Sequence, residues 1–369
     1  MLNLFINNQN IMKTNQLILA AAIIAIAGCT KSNVETNVNA ESNEIGFNAV
    51  TRVATKANNA IVTGTTYGTD NTFQVWGWQS ENGLFTDAAL TEDAESNFMK
   101  NLTISYCGGP SSRTDAWRNA DHYYYWPFTG AISFMAIHPS TVVPTSTGWD
   151  ATNKKGKATI EGYTIATGNK TTDLMFADAS GSRRADALPL VFKHALSQIE
   201  VQVKTNDNYS SDVQFDVKSV TFNNIDLSGN VTYANSACSW SANTAQTEDW
   251  LYYDTVKENI SNTAAVYGAA NVMIPQAAHN AAAAVGEPGD PEYVAADPGT
   301  TLTIEYAMQQ LPKANNAKIN GTVTVAAPQE WAAGSKYVYT LNFNLYEILF
   351  NPSVEADWVT VNVATINIP

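Results

Sequence analysis

Cysteine and histidine are scarce in this chain of 369 residues, which contains three of the former and four of the latter. No CxxC pair is present and no two histidines stand at metal-ligand spacing, so we expect no zinc site. A P-loop, a GxGxxG turn and a GxSxG nucleophile elbow are also missing. We therefore expect a protein that is not an enzyme and that holds no metal and no cofactor. Carboxylates far apart in sequence can meet across a sheet, so an envelope hydrolase with a carboxylate pair stays open as a minor alternative.

Basic residues are also few. Lys and Arg total 20 against 34 Asp and Glu, which gives a formal net charge of −14 at pH 7. A nucleic-acid binder needs a basic face that neutralises phosphates, so we expect no nucleic-acid partner. Aromatic residues make up 10% of the chain, and Asn, Thr, Ser and Gly are common. Such a composition favours β-structure with polar loops.

The one long apolar run, from Leu17 to Ala27, is too short to cross a membrane, because a spanning helix takes about 20 apolar residues. It follows Met12-Lys13 and ends in Ala27-Gly28-Cys29, the order of a secretory signal. A cysteine at this point is typical of a bacterial lipobox, in which the thiol of Cys29 receives a diacylglycerol. We predict a lipoprotein signal peptide over residues 1–28, with Met1 or Met12 as the start; a plain signal peptide with a chance cysteine is the alternative.

Beyond the signal, residues 29–43 are polar and aperiodic and are predicted to be a flexible tether. From Ile45 onward, apolar and polar residues alternate with period 2 in many short segments, and no amphipathic helix separates them. The pattern argues against a parallel α/β fold and predicts an all-β protein made of two antiparallel β-sandwiches. The polar segment from Asp178 to Asp186 is the expected boundary, with an N-terminal domain over 44–186 and a C-terminal domain over 187–369.

The period-2 pattern changes phase at two places in the second half of the chain. The alternation through Leu190 and Leu196 resumes in the opposite phase at Ile199. The alternation through Val217 does the same at Val220. One extra residue in a strand produces such a slip, so we predict a β-bulge near Ser197 and another before Val220.

Two aromatic groups could form a surface on which sugars stack. One is Trp76-Gly77-Trp78 and the other is the run Tyr123 to Trp126. Strands with core aromatics have the same pattern, so both interpretations stay open. If the rings are exposed, the chain is a lipid-anchored surface glycan-binding protein.

Several segments together resemble the fimbrillin-like lipoproteins of Bacteroidales, the family related to the major and minor fimbrillins. No segment is specific alone, and the resemblance lies in their order and spacing over nearly all of the chain after the signal. They are the lipobox at Cys29, Ile45-Gly46-Phe47 followed by Thr51-Arg52, Phe134-Met135-Ala136-Ile137-His138-Pro139, Asp173-Leu174-Met175-Phe176-Ala177, Leu190-Val191-Phe192-Lys193-His194-Ala195-Leu196-Ser197, and Trp331-Ala332-Ala333-Gly334-Ser335-Lys336-Tyr337-Val338-Tyr339.

The resemblance implies two tandem transthyretin-like sandwich domains and a structural or adhesive subunit of a cell-surface fimbria. It implies export as a lipoprotein to the outer membrane, a membrane contact through the lipid, and partners among fimbrial subunits, with a host or bacterial surface ligand as a further partner. Proteolytic cleavage after an Arg beyond the first strand would open a groove for a strand of another subunit. Arg52 is the candidate cleavage site, although a plain surface Arg fits the sequence equally well.

The tail of the chain is the candidate donor strand, through Val359, Val361 and Val363, then Ile366 and Ile368. Its phase changes at Ala364-Thr365. A bulge inside one domain explains this change, and so does a tail whose last part pairs elsewhere.

Overall fold

The computed structural model describes most of the chain after the predicted tether. The described residues are 44–51, 67–80, 90–108, 117–166, 172–184, 186–205, 212–242, 248–279, 282–285, 299–311, 317–327, 330–344, 348–356 and 359–362. All of them belong to one compact unit, Ser42–Pro369, whereas the other unit, Met1–Glu41, lies outside the described ranges.

Within these ranges the regular structure consists of strands, which confirms the all-β prediction. Across the same residues there is no helix with the length and hydropathy to cross a membrane. The strands are β1 Phe47–Thr51, β2 Phe73–Ser80, β3 Met99–Tyr106, β4 Trp117–Arg118, β5 Ala131–His138, β6 Ser146–Asp150, β7 Lys155–Thr164, β8 Met175–Ser182, β9 Leu188–His194, β10 Ser197–Thr205, β11 Val213–Ile225, β12 Ser228–Ala234, β13 Ala237–Ala242, β14 Glu248–Tyr253, β15 Ala265–Val266, β16 Asn271–Met273, β17 Thr301–Gln310, β18 Ile319–Ala326, β19 Ser335–Phe343, β20 Ile348–Ala356 and β21 Val359–Asn362.

Seven strands form a closed sheet in the order β1-β4-β3-β2-β5-β8-β9, and β9 pairs back onto β1. Period-2 alternation sends every second side chain into its interior. The interior is a continuous aromatic cluster in which most rings meet edge to face or tilted, as ring quadrupoles prefer, and Tyr67 and Phe192 are stacked. Its rings are those of Phe47, Tyr67, Phe73, Trp117, Trp126, Phe134 and Phe192.

The opposite face of β2, β5 and β8 is buried under a second sheet, in the order β13-β12-β7-β6. Trp78 of β2 packs on Trp149 with ring centroids 5.9 Å apart. Phe176 of β8 stacks on Tyr233 of β12 at 4.8 Å. Because both faces of these central strands are buried, β5 is apolar along nearly its whole length and every residue of it is buried.

Two further sheets pack face to face and form a β-sandwich. One runs β15-β10-β19-β20-β21, with β16 also paired to β10, and the other runs β14-β11-β17-β18. Phe215 of β11 meets Phe343 of β19 with centroids 5.7 Å apart, and Phe222 meets Tyr339 at 5.3 Å. These contacts belong to one buried core that continues under the second sheet.

The prediction of purely antiparallel sheets needs a correction at two places. β1 pairs with β9 in parallel, and β10 pairs with β19 in parallel. Each parallel pair joins strands far apart in sequence, whose connection is long enough for any direction. A period-2 pattern shows only that a segment is a strand and carries no information on the direction of its neighbour.

The expected boundary at residues 186 and 187 stays a prediction, but strands from its two sides share sheets. β8 continues through Ser182, where it pairs with Ala131, so the predicted loop from Asp178 is shorter than expected. β9 pairs with β8 and β1, and β12 pairs with β7. The hairpin of β12 and β13 is therefore an addition from the second half of the sequence to a sheet of the first half.

Of the two predicted bulges, one is confirmed and one is wrong. β11 shifts register between Val217 and Ser219 against β17, as predicted. Near Ser197 the chain instead ends β9 at His194 and begins β10 in a different sheet. The phase changes there because the core lies on the other side of the second strand.

Gly156 of β7 allows the second sheet to approach the closed sheet. A Cβ at this position would overlap the ring of Trp78 and lie 2.9 Å from Cβ of Met135. We expect Gly156→Ala to lower the free energy of unfolding by about 1–3 kcal/mol through overpacking, measured by urea denaturation. Gly68→Ala is the matched control, because the nearest atom, Nδ2 of Asn71, is 3.4 Å away. Equal stabilities of the two variants would contradict this packing.

Candidate functional site

β1 fills the seam that closes the seven-stranded sheet. It pairs in parallel with β9 from Phe47 to Thr51 and meets β4 at Trp117. Its approach is also bonded, since the amide of Ile45 donates to the carbonyl of Tyr124 over 2.7 Å. The main chain is thus bonded along β9 and, at Ile45 and Phe47, on the opposite side, and its departure would leave unpaired groups on both walls.

The inward side chains of β1 anchor it in the aromatic core. Ile45, Phe47, Ala49 and Thr51 are buried, whereas Asn48 between them is exposed. Phe47 has no exposed surface and meets Phe134 edge to face at 5.1 Å. Burial of a side chain such as Ile or Phe is worth about 1.5–3 kcal/mol, so these two hold the strand firmly without a covalent link.

We call the space between β9 and β4 that β1 fills the groove. An ion pair lies at its end nearest the N-terminus of β1. A carboxylate oxygen of Glu44 lies 3.0 Å from a guanidinium nitrogen of Arg118 on β4, and both side chains are mostly buried. The same guanidinium lies over the ring of Tyr123, 5.2 Å from its centroid. Burial works against the charge of Arg118, but contacts with the Cys107 thiol and Glu44 outweigh it and raise the pKa of Arg118.

The chain is anchored a second time at Tyr67, after residues 52–66, which lie outside the described ranges. Its ring stacks on Phe192 of β9 at 4.9 Å, and its hydroxyl lies 2.5 Å from Nδ1 of His138. Burial raises the pKa of Tyr67 and lowers the pKa of His138, so both groups are neutral in the folded core at neutral pH. Arg52 therefore lies between two anchored points of the chain, β1 and Tyr67.

The predicted aromatic platform is only partly exposed. Trp76 and Trp78 are buried, so the sugar-stacking role suggested for this pair is wrong. Of the second group, Tyr123 and Tyr125 are exposed, whereas Trp126 is buried in the closed sheet. Two separate tyrosines do not supply the continuous platform that the glycan-binding alternative requires.

Only some of the other predicted site residues lie in the part of the chain that the structure describes. Cys29 and Arg52 lie outside the described residues, as do Val363, Ile366 and Ile368. Val359 and Val361 lie on β21, which pairs with β20 of the same chain. Within the described ranges no group of three or more His, Cys, Asp or Glu is arranged to hold a metal ion.

Sequence reasoning missed Glu44, Arg118 and Tyr67. Glu44 and Arg118 are 74 residues apart, and Tyr67 and His138 are 71 apart. A charged residue at the start of a strand gives no local sign of a distant partner. One usable signal was present, because Glu44 comes directly before the alternation of Ile45, Phe47 and Ala49.

Comparison with protein families finds that the model described as fimbrillin-like matches residues 51–358. The chain belongs to the fimbrillin-like family. The match begins at the last residue of β1, so it covers the walls of the groove and nearly all of the sheets. Comparison with curated protein sequences finds no match.

Solved structures resemble the fimbrillin-like chain at low sequence identity. A fimbrial protein from Bacteroides vulgatus has a TM-score of 0.57 at 17% identity, covering 85% of this chain and 99% of that one. A candidate cell adhesion protein from Bacteroides uniformis has a TM-score of 0.46 at 15% identity, covering 85% and 99%. A third, from Bacteroides ovatus, has a TM-score of 0.45 at 13% identity, covering 88% and 97%. The first of these supports the fold.

Phe47 and Asn48 give a matched test of how β1 is held. We expect Phe47→Ala to cost about 3–5 kcal/mol of stability, as for other buried aromatic truncations. Asn48→Ala should change the free energy of unfolding by less than about 0.5 kcal/mol, because its side chain is exposed. Urea denaturation measures both, and hydrogen exchange at the β1 amides reports whether the loss is local. A Phe47→Ala variant as stable as Asn48→Ala would show that β1 is not anchored by its inward face.

Proposed function

We propose that this protein is a structural or adhesive subunit of a cell-surface fimbria, exported as a lipoprotein, in which β1 is a removable strand of the precursor. The observation that carries the proposal is the position of β1. It completes a closed sheet through buried alternate side chains, and Arg52 follows its last residue directly. Cleavage there would leave β1 in the groove without a peptide bond to the rest of the sheet.

Loss of β1 would create a site for a strand of another subunit. β9 would expose a row of main-chain donors and acceptors and β4 those at Trp117, and the cavities of Ile45 and Phe47 would open between them. An incoming strand with alternating apolar residues satisfies both needs, which is β-augmentation. Other fimbrial subunits are the natural partners, and a host or bacterial surface ligand would be met by the assembled fibre.

The second anchor limits what a cut would release. Tyr67 is fixed to β9 and β5 by its ring and its hydroxyl, so the chain after Arg52 stays attached to the closed sheet. Only the segment through Arg52 would leave. That segment contains the predicted lipid at Cys29, the tether of residues 29–43 and β1.

The lipid serves as the address of the precursor in this proposal. Stable anchoring takes two or more acyl chains, which a diacylglycerol on Cys29 supplies. From the fimbrillin-like family we infer the outer membrane at the cell surface as the location, with the tether between the membrane and β1. Cleavage at Arg52 then breaks the covalent link between the lipid and the rest of the subunit and makes β1 exchangeable for another strand.

Cleavage at Arg52 is testable on the purified full chain. An Arg-specific protease should remove the segment through residue 52, after which oligomer ladders appear on gels run without boiling. Arg52→Gln should abolish both the cut and the ladders, while Arg184→Gln leaves both unchanged. Ladders that form equally from Arg52→Gln, or cleaved protein that never forms oligomers, would contradict the polymerising role.

Lipidation is tested in the producing cell. Cys29→Ser should abolish incorporation of labelled palmitate and move the protein from the membrane fraction to the soluble fraction, because no acylated thiol is left. Cys107→Ser is the control and should keep both the label and the membrane association. Palmitate labelling that persists in Cys29→Ser would overturn the lipoprotein assignment.

A further inference from the structure

Arg118 places a positive charge on the wall of the groove that β4 forms. It belongs to β4, and its guanidinium contacts the carboxylate of Glu44 and the ring of Tyr123, while the thiol of Cys107 lies 3.9 Å from its main-chain carbonyl oxygen. The ring and the thiol belong to the body of the protein. The carboxylate belongs to the β1 segment and would leave with it.

An Arg in this position stays charged when its partner leaves. Its guanidinium does not lose a proton at any physiological pH. Tyr123 and Cys107 remain beside Arg118 when Glu44 leaves, and with Glu44 in place its side chain is 18% exposed. A charge that is held at a partly buried wall and has lost its carboxylate is unfavourable, and a new carboxylate in the same place restores a strong charge-assisted hydrogen bond.

We propose that Arg118 makes the groove selective for a strand that places a carboxylate immediately before its first inward-facing apolar residue. In β1 this carboxylate is Glu44 and the inward residue is Ile45. The inference rests on the proposed exchange of β1 and adds a rule for which strand can replace it. The partner is defined by chemistry, as an extended segment with an acid followed by alternating apolar residues.

The tail of this chain has the alternating apolar residues that the rule requires but lacks the carboxylate before them. Aligned in the same direction, Trp358-Val359-Thr360-Val361-Asn362-Val363-Ala364-Thr365 falls on Glu44-Ile45-Gly46-Phe47-Asn48-Ala49-Val50-Thr51. Every inward position of β1 then has an apolar residue or the same Thr, and Asn362 falls on Asn48. The single mismatch in chemistry is at the mouth of the groove, where Trp358 takes the place of Glu44.

The nearest acid of the tail does not repair this mismatch. Asp357 falls on Asn43, one residue earlier, and successive side chains of a strand point to opposite faces. Residues 359–369 contain no Asp or Glu. In the direction of β1, the tail therefore offers an apolar side chain or Thr at each inward position but leaves Arg118 without a carboxylate, so self-insertion in this register is possible but weaker than insertion of a strand with an acid at that position.

Peptide competition on the Arg52-cleaved chain tests the rule. Fluorescent peptides of residues 42–53 are offered in the wild-type form and as Glu44→Gln, and tail peptides of residues 356–369 as Trp358→Glu and Trp358→Gln. We expect each peptide with the acid to bind about tenfold more tightly than its amide partner, the size of a hydrogen bond to a charged group. Asp357→Asn in the tail peptide should change nothing.

The matched control for these peptides is a substitution of Arg118 in the cleaved chain that binds them. In an Arg118→Gln chain the preference for the acid should disappear, and in an Arg118→Glu chain a Glu44→Lys peptide should bind better than the Glu44 peptide. Equal affinities of acid and amide peptides for the wild-type groove would overturn the inference. So would a preference that persists in Arg118→Gln.

A separate measurement on the uncut chain tests the role of Arg118 even if strand exchange does not occur. If no peptide enters, not even the wild-type peptide of residues 42–53, the proposed exchange fails. The Arg118 rule is then decided by a double-mutant cycle of Glu44→Gln and Arg118→Gln, read as hydrogen exchange at the Ile45 amide. Both single variants should speed exchange by about tenfold, with no further effect in the double variant. Independent effects would refute the coupling.

Discussion

The seam between β9 and β4 is the constraint on which the closed sheet depends. A sheet with a gap of one strand exposes main-chain groups on both edges and opens its core to water, so the strand in the gap must satisfy both edges and plug the core together. β1 does this with a short segment, through parallel pairing to β9, contact with β4 and the ring of Phe47 against Phe134. The aromatic interior, the burial of Tyr67 and the position of Arg118 all presuppose that this seam is filled.

The strand that fills the seam was visible in the sequence, while its neighbours were not. Alternation of Ile45, Phe47 and Ala49 predicts a strand with one buried face, and the structure confirms it. Alternation reports burial by face and nothing about pairing, so the parallel contacts and the addition of β12 to β7 were missed. The two phase changes show the same limit. An identical pattern marks a bulge in β11 and a passage between sheets after His194, because both move the core to the other side of the chain.

The polar contacts of the site could not be predicted for a different reason. Glu44 and Arg118 are 74 positions apart in the sequence, and Tyr67 and His138 are 71 apart. None of these residues has a local sequence pattern that points to its partner. His194 illustrates what the sequence does allow. It lies in an apolar alternation, where a polar side chain needs a partner, and its Nδ1 lies 2.6 Å from a carboxylate oxygen of buried Asp173. A fixed polar group in an apolar strand implies a partner, but the identity of that partner comes only from the fold.

The walls of the groove are weakly held without β1, and this decides how strand exchange can proceed. Within the described residues β4 consists of Trp117 and Arg118, which pair with Tyr106 and Ser105 of β3. The last two residues of β9 pair with β8, whereas five residues of β9 pair with β1. Removal of β1 therefore takes away most of the pairing that holds β9 and part of what positions Arg118. An empty groove would be a high-energy state, so we expect the donor strand to enter as β1 leaves rather than after it has left.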